Sequence, residues 1–171
     1  MLTVRDASEL DAAACAAIYA PYVTTTAISF EASPPSESEM SDRIAAATRS
    51  HAWLVAEDAG RIVGYAYGGP FASRAAYRWS CEVSVYLEMG RRRTGAGRAL
   101  YSVLLPRLVE RGFRVAVAKM TLPNEGSVGL HKAMGFQETG VHRRIGFKNG
   151  AWHDVAITQL DLVPGLDAPE C

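Results

Sequence analysis

RRRTGAGRAL, residues 91–100, is the stretch on which the fold turns. Three arginines run into a glycine-punctuated turn, and an apolar-periodic segment follows. Immediately upstream, WSCEVSVYL (79–87) reads as a strand. A turn from strand to helix presents unpaired backbone N–H groups, and the helix macrodipole adds partial positive charge at the same point. Glycines let the backbone approach a ligand closely. Such a junction suits a pyrophosphate, and Arg91, Arg92, Arg93 and Arg98 add charge around it. On the loop alone a bland reading stays open, a tight turn with a solvated arginine cluster. Two named alternatives fit poorly. A dinucleotide turn wants a third glycine after Gly95-Ala96-Gly97 and a place near a chain start. A P-loop needs GK[ST] after four spacer residues, which is absent.

Outward from this junction the chain reads as mixed strands and helices. LTVRDA opens as a short strand, and Ser8 caps a helix to about Tyr19. From Pro21 to Pro35 a loop is expected, with an extended piece around AISFE. Ser36 and Glu39 form an S-x-x-E capping box that starts a second helix. HAWLVAED and RIVGYAYGG flank Ala59-Gly60 as a hairpin. The helix from about Gly95 to Glu110 carries Ala96, Leu100, Val103, Leu104 and Leu108 on one face, and Pro106 should bend or shorten it. FRVAVAKM is a buried strand. A helix starts at Asn124 and ends at Gly135. FQETGVHRRIGF and AWHDVAITQLDL are two strands joined near Asn149-Gly150. The expectation is an α/β fold, a mixed and mostly antiparallel sheet of about seven strands with helices on both faces.

The 171 residues suit one domain, expected over 1–163, with a flexible tail over 164–171. Lys plus Arg equals Asp plus Glu, so the formal net charge is zero and a general nucleic-acid binder is disfavoured. Cys15, Cys81 and Cys171 form no paired framework, which suits a reducing cytoplasm. No run approaches the ~18 apolar residues of a membrane helix, and the N-terminus has no basic region of a signal peptide. His51, His142 and His153 show no metal-ligand spacing, so no metal is expected.

Arg92-Arg93-Thr94-Gly95-Ala96-Gly97 fits [QR]-x-x-G-x-[GA], and an N-x-x-S helix start (Asn124 to Ser127) follows across another strand. Together these resemble the acyl-CoA-binding core of the GNAT acetyltransferase superfamily. The resemblance is closer to its phosphinothricin acetyltransferase family, to which RAAYRWSCEVSVY, SVGLHKAMGF and GFKNGAWHD are similar. It runs from about IYAPYV to ITQLDL, which is most of the chain. It implies an acetyl-CoA-dependent N-acetyltransferase and a homodimer. The pyrophosphate of acetyl-CoA would lie on the backbone amides of Arg93, Thr94, Gly95, Ala96, Gly97 and Arg98. The pantetheine arm would pair with the backbone of Val85, Tyr86 and Leu87, with Asn124 and Ser127 on its other side.

Alternation places Cys81, Val83, Val85 and Leu87 on one strand face and Ser80, Glu82, Ser84 and Tyr86 on the other. A lone glutamate there would ordinarily just face solvent. From Glu82 to Leu87 is ~17 Å of extended strand, so an arm anchored at the glycine turn brings its thioester near Glu82. Glu82 is then a candidate general base for the acceptor ammonium, its pKa raised by partial desolvation. A backbone N–H near Val83 or Val85 is the candidate oxyanion donor. His131 follows Asn124 by two helical turns, roughly 10 Å on the same face. Many GNAT members carry tyrosine here; this chain has histidine, as phosphinothricin acetyltransferases do. Its role as acid or base stays open. Cys81 should point away from Glu82, so direct transfer is expected, not an acetyl-cysteine.

Arg74, Tyr77 and Arg78 directly precede this strand and suit a substrate with two anionic ends, though an exposed basic loop is common. The resemblance implies a toxic amino acid with a tetrahedral side-chain group, such as phosphinothricin, methionine sulfoximine or arsinothricin. Phe30 would form one wall. Lys148 and Trp152 would serve either the site or a dimer contact. Two other readings are an acetyltransferase for peptide or protein amines and a non-catalytic acetyl-CoA sensor. The arginine-bearing loop argues against the first. The presence of both Glu82 and His131 argues against the second.

Overall fold

The computed structural model describes residues 1–91 and 94–165. The first half builds one side of a sheet and its helical cover. β1 (Thr3–Asp6) leads through a 3₁₀ turn (Glu9–Asp11) into α1 (Ala12–Thr24), and α2 spans Glu37–Ser50. β2 (Trp53–Asp58) and β3 (Arg61–Pro70) follow as a hairpin, and β4 covers Ser80–Leu87. α3 (Ala96–Glu110), β5 (Val115–Thr121), α4 (Glu125–Ala133), β6 (Gln137–Lys148) and β7 (Ala151–Asp161) complete the chain. The sheet has seven strands in the order β1-β2-β3-β4-β5-β7-β6. All neighbours are antiparallel except β4 and β5, which run parallel. This is the fold the sequence implied.

Two cores lie on opposite sheet faces. On one, Leu100, Leu104 and Leu108 of α3 are fully buried against Leu54, Ala56, Val63 and Ala66, and Leu130 of α4 and Met134 just after it pack beside them. Each buried leucine is worth ~1.5–3 kcal/mol relative to exposure. On the other face, Ile18 and Val23 of α1 and Met40 and Ile44 of α2 cover Trp53, Val55 and Tyr65. Strand alternation divides the side chains: Leu54 and Ala56 go to the first core, Trp53 and Val55 to the second.

Local chemistry fixes the element ends. Ser36 accepts from the Glu39 N–H at 3.1 Å while the Glu39 carboxylate accepts from the Ser36 N–H at 2.7 Å, the expected reciprocal cap. The β6–β7 turn places Asn149 and Gly150 at φ 52° and 75°, as a two-residue hairpin turn requires.

One expectation is corrected and two are refined. α1 does not end near Tyr19 but continues through Pro21 to Thr24. The threonine run satisfies the last carbonyls of the helix: Thr24, Thr25 and Thr26 hydroxyls donate to the carbonyls of Ala20, Pro21 and Tyr22 at 3.1, 2.7 and 2.6 Å. The AISFE segment forms no strand. Its polar groups turn inward instead, with Ser29 Oγ accepting from the Glu31 N–H and bonded to the Tyr19 hydroxyl at 2.7 Å. Pro106 does not shorten α3, which runs on to Glu110. It sits on the exposed side with Ser102, so its lost bond faces water while Leu104, Leu105 and Leu108 hold the other side. The part of the expected tail beyond Gly165 falls outside the described residues.

Candidate active site

β4 and β5 pair only from Ser80↔Val115 to Glu82↔Val117, after which the register ends although both strands continue. A gap therefore opens between them. The Trp79 carbonyl accepts from the Arg114 N–H at 2.8 Å, on the β5 side, and the Glu88 N–H donates to Val63 on the β3 side. Alternation between those fixed points turns the backbone of Val83, Val85 and Leu87 toward the gap. It turns the Tyr86 backbone to β3, opposite Tyr65. Tyr86 is thus corrected as a pantetheine-pairing strand residue; its ring packs on Tyr19 and Tyr22 instead. The Leu87 carbonyl accepts from the Tyr22 hydroxyl at 2.7 Å.

At the end of this gap lies the glycine turn. Gly95 is the N-cap of α3 with φ 80°, a conformation that β-branched residues avoid. No side chain caps the helix there, which leaves the first amides of α3 for an acceptor from outside the helix, as at an anion site. Gly97 lies so close to α4 that a Cβ would meet Leu130 Cδ2 at 2.9 Å. Thr94 and Arg98 are exposed beside the turn, and Arg93 and Arg92 lie outside the described residues. Arg91 is committed elsewhere, to Asp58 at 3.0 Å and Glu88 at 3.7 Å.

Asn124 caps α4, its Oδ1 accepting from the Ser127 N–H at 3.2 Å. His131 is 3% exposed. Its Nδ1 lies 2.8 Å from the Ser127 carbonyl and its Nε2 2.9 Å from the Tyr101 hydroxyl. A carbonyl only accepts, so Nδ1 carries the proton and Nε2 accepts from Tyr101. Burial holds the His131 pKa below the ordinary histidine value, opposed by the Ser127 carbonyl. The ring packs edge-on to Tyr101 and Phe136, on the α3 side of the sheet. It does not meet Glu82, which projects from the other face.

Cys81 is fully buried in the α3-side core, and burial pushes its thiol up to about 12. It therefore points away from Glu82 as alternation required. Glu82 is partly exposed, and its Oε2 lies 2.9 Å from Lys119 Nζ. Lys119 in turn lies 5.7 Å from the Phe71 ring centroid, and Phe71 packs edge-on to Tyr77 at 5.3 Å. Arg74 and Arg78 flank the 3₁₀ turn Ala75–Tyr77 and are exposed; the Arg78 guanidinium stacks 3.8 Å over Trp79.

The opposite wall is built by the 25–31 loop. Phe30 is 44% exposed and lies against Gly146 of β6, where no side chain intervenes. Thr121 of β5 ties this loop by donating to the Ile28 carbonyl at 3.3 Å. Lys148 ties it from the hairpin, donating to the Val23 and Ser29 carbonyls at 2.7 and 2.6 Å. Its ammonium thereby braces the segment carrying Phe30. Trp152 is 60% exposed and packs edge-on to Phe147.

Sequence reasoning overlooked Lys119, Phe71 and Tyr101. Lys119 did carry a signal: a cation inside the apolar run of FRVAVAKM, at the alternation phase of Val117, the parallel partner of Glu82. Tyr101 had none, because its partner is thirty residues away on another helix.

Among the described residues no group of three or more His, Cys, Asp or Glu is placed to hold a metal ion, and no helix is long and apolar enough to cross a membrane. A GNAT acetyltransferase domain model matches residues 4–157. A phosphinothricin N-acetyltransferase from Streptomyces viridochromogenes is 39% identical over 159 residues, 93% of this chain and 87% of that protein. An L-methionine sulfoximine/L-methionine sulfone acetyltransferase from Pseudomonas paraeruginosa is 35% identical and covers 98% of both chains. The crystal structure of a phosphinothricin acetyltransferase from Sinorhizobium meliloti in complex with acetyl-CoA superposes with a TM-score of 0.94 at 37% identity, covering 99% of this chain and 93% of that one.

Proposed function

Since the chain belongs to the GNAT family of acetyl-CoA-dependent N-acetyltransferases, we propose that it acetylates the α-amine of a small toxic amino acid with a tetrahedral side-chain group. Phosphinothricin, methionine sulfoximine and arsinothricin have that form. The observation that carries the reading is the placement of Glu82. Its carboxylate projects where β4 and β5 part, paired with Lys119, whose ammonium lies over Phe71 next to Tyr77.

In this reading the uncapped start of α3 holds the pyrophosphate, and the inward-facing backbone of Val83, Val85 and Leu87 holds the arm. Asn124 and Ser127 flank it from α4. Bound acetyl-CoA presents an activated acyl carbon at the gap. Glu82 takes a proton from the acceptor ammonium. The freed nitrogen bonds to the carbonyl carbon; as the C–S bond breaks, the nitrogen's surplus proton passes to the departing thiolate, which leaves as the thiol. The Val83 or Val85 N–H stabilises the oxyanion between those events. Arg74, Tyr77 and Arg78 take the anionic ends of the acceptor, and Phe30 closes the wall. His131, with both ring nitrogens engaged, acts here as a positioning residue that fixes α4 to α3 through Tyr101. The exposed Ile145, Phe147 and Trp152 on the edge hairpin support a homodimer contact, and the free buried Cys15 and Cys81 suit a cytoplasmic enzyme.

The test is thiol release from acetyl-CoA with phosphinothricin, methionine sulfoximine, arsinothricin, ordinary amino acids and a basic peptide. Turnover is expected on a tetrahedral-group amino acid, with Glu82→Gln lowering it ~10²–10⁴-fold at unchanged acetyl-CoA affinity. Turnover on the peptide alone, or none despite acetyl-CoA binding, overturns the acceptor assignment. Full turnover in Glu82→Gln removes Glu82 from the mechanism.

A further inference from the structure

β5 alternates as β4 does. Ala116 and Ala118 enter the α3-side core, while Val117, Lys119 and Thr121 share the face of Glu82. Lysine is a poor strand former in so apolar a run, yet its ammonium lies 2.9 Å from Glu82 Oε2 and over the Phe71 ring, 5.7 Å from its centroid. The side chain is 41% exposed, so the pair stands at the open end of the gap.

The charges around the pair are few. Tyr67 of β3 lies within electrostatic reach of Glu82; burial pushes its phenol up, keeping it neutral. Arg43 of α2 and Glu31 of the 25–31 loop also act on Tyr67, and they neutralise each other through two bonds of 2.7 and 3.1 Å. Arg74 and Arg78 belong to the preceding turn and are assigned above to the acceptor's anionic ends. Lys119 is therefore the cation that faces the Glu82 carboxylate directly. A carboxylate alone would form a neutral pair with an incoming ammonium and keep that ammonium protonated. With Lys119 present, the pair is already neutral. An arriving ammonium makes the group net positive; passing its proton to Glu82 keeps that charge within the group, and the surplus is relieved when Glu82 hands the proton on to solvent at the open end of the gap.

We propose that Lys119 is a positioning residue: its ammonium holds one oxygen of Glu82, leaves the other for the acceptor, and makes the acceptor nitrogen the group that gives up a proton. The proposal rests on the reading of Glu82 as the base.

The test measures kcat and KM from pH 6 to 9.5 for the full chain, with acetyl-CoA and either phosphinothricin or methionine sulfoximine. The variants are Lys119→Met, Lys119→Gln and Lys119→Arg, beside Glu82→Gln. Met and Gln are expected to lower kcat ~10-fold at pH 7, the size of one pH unit of displaced profile. The deficit should shrink as pH passes the acceptor amine's own pKa, acetyl-CoA KM should stay put, and Arg should restore the wild-type profile. A folded Met or Gln variant with the wild-type profile overturns the proposal. So does a deficit of equal size at every pH, or one confined to acetyl-CoA KM. If Glu82→Gln turns over normally, the base assignment itself has failed. If Glu82→Gln is crippled while Lys119→Met is normal, only the role of Lys119 has failed.

Discussion

Replacing Tyr101 by phenylalanine removes one oxygen atom from the centre of the α3–α4 contact. Tyr101 is 0% and His131 3% exposed, so no water is at hand to replace the lost donor. The 2.9 Å bond from the Tyr101 hydroxyl leaves His131 Nε2 without a partner once it is gone. The ring cannot flip to help, because Nδ1–H already serves the Ser127 carbonyl at 2.8 Å. An unsatisfied buried acceptor costs ~1–3 kcal/mol. In a domain of this size each kcal/mol lowers Tm by ~2–4 °C, so Tyr101→Phe should melt ~2–12 °C below wild type at pH 8. The same network sets a pH dependence. Burial depresses the His131 pKa in the folded state, so the unfolded chain takes the proton first, near pH ~6.5. The stability from neutral His131 is complete above that value and is lost as pH falls below it, by at most ~1.4 kcal/mol per unit. Circular-dichroism melts of wild type and Tyr101→Phe between pH 5.5 and 8, with rates alongside, are the assay. An unchanged Tm in Tyr101→Phe refutes the buried bond. An unchanged Tm with kcat down ~10²–10⁴-fold would make the Tyr101–His131 pair the proton donor of the reaction instead.

Two further outcomes follow from the site's walls. Gly95→Val forces a β-branched residue to φ 80° at the N-cap of α3, and acetyl-CoA affinity measured by calorimetry should collapse; a folded variant with normal affinity would remove the glycine turn from cofactor binding. Gly146→Ala puts a methyl group where the Phe30 ring rests, and that ring, being partly exposed, can move aside. Acceptor KM should then rise roughly 10-fold while acetyl-CoA KM stays fixed, and an unchanged acceptor KM would take Phe30 out of the pocket.

Much of the fold is legible because its signals are local. The capping box at Ser36, the turn at Asn149-Gly150 and the alternation of SCEVSVYL each depend on neighbours a few residues apart. The misread elements show the converse. Pro21 and Pro106 both weigh against a helix, yet α1 runs through the first, its last carbonyls held by three threonine hydroxyls, and α3 through the second, which faces water while leucines anchor the far side. AISFE has strand-like composition but finds no strand to pair with, and the hydroxyls of its Ser29 and of the preceding Thr26 satisfy its backbone locally.

The sequence by itself determined the glycine turn after a strand, the family resemblance and the opposite facings of Cys81 and Glu82. These are set by one-dimensional spacing and by the two-residue period of a strand. Only the tertiary structure decided which groups those side chains meet. The ion pair of Glu82 with Lys119 joins strands that pair only briefly, over Ser80–Glu82. His131 shares a helix face with Asn124, as spacing required, but packing against Tyr101 buried it and engaged both its nitrogens. Lys148 crosses from the hairpin to the Val23 and Ser29 carbonyls, more than a hundred residues away along the chain. Electrostatic and hydrogen-bond partners are chosen by proximity in space, and proximity between distant segments is what folding adds to a sequence.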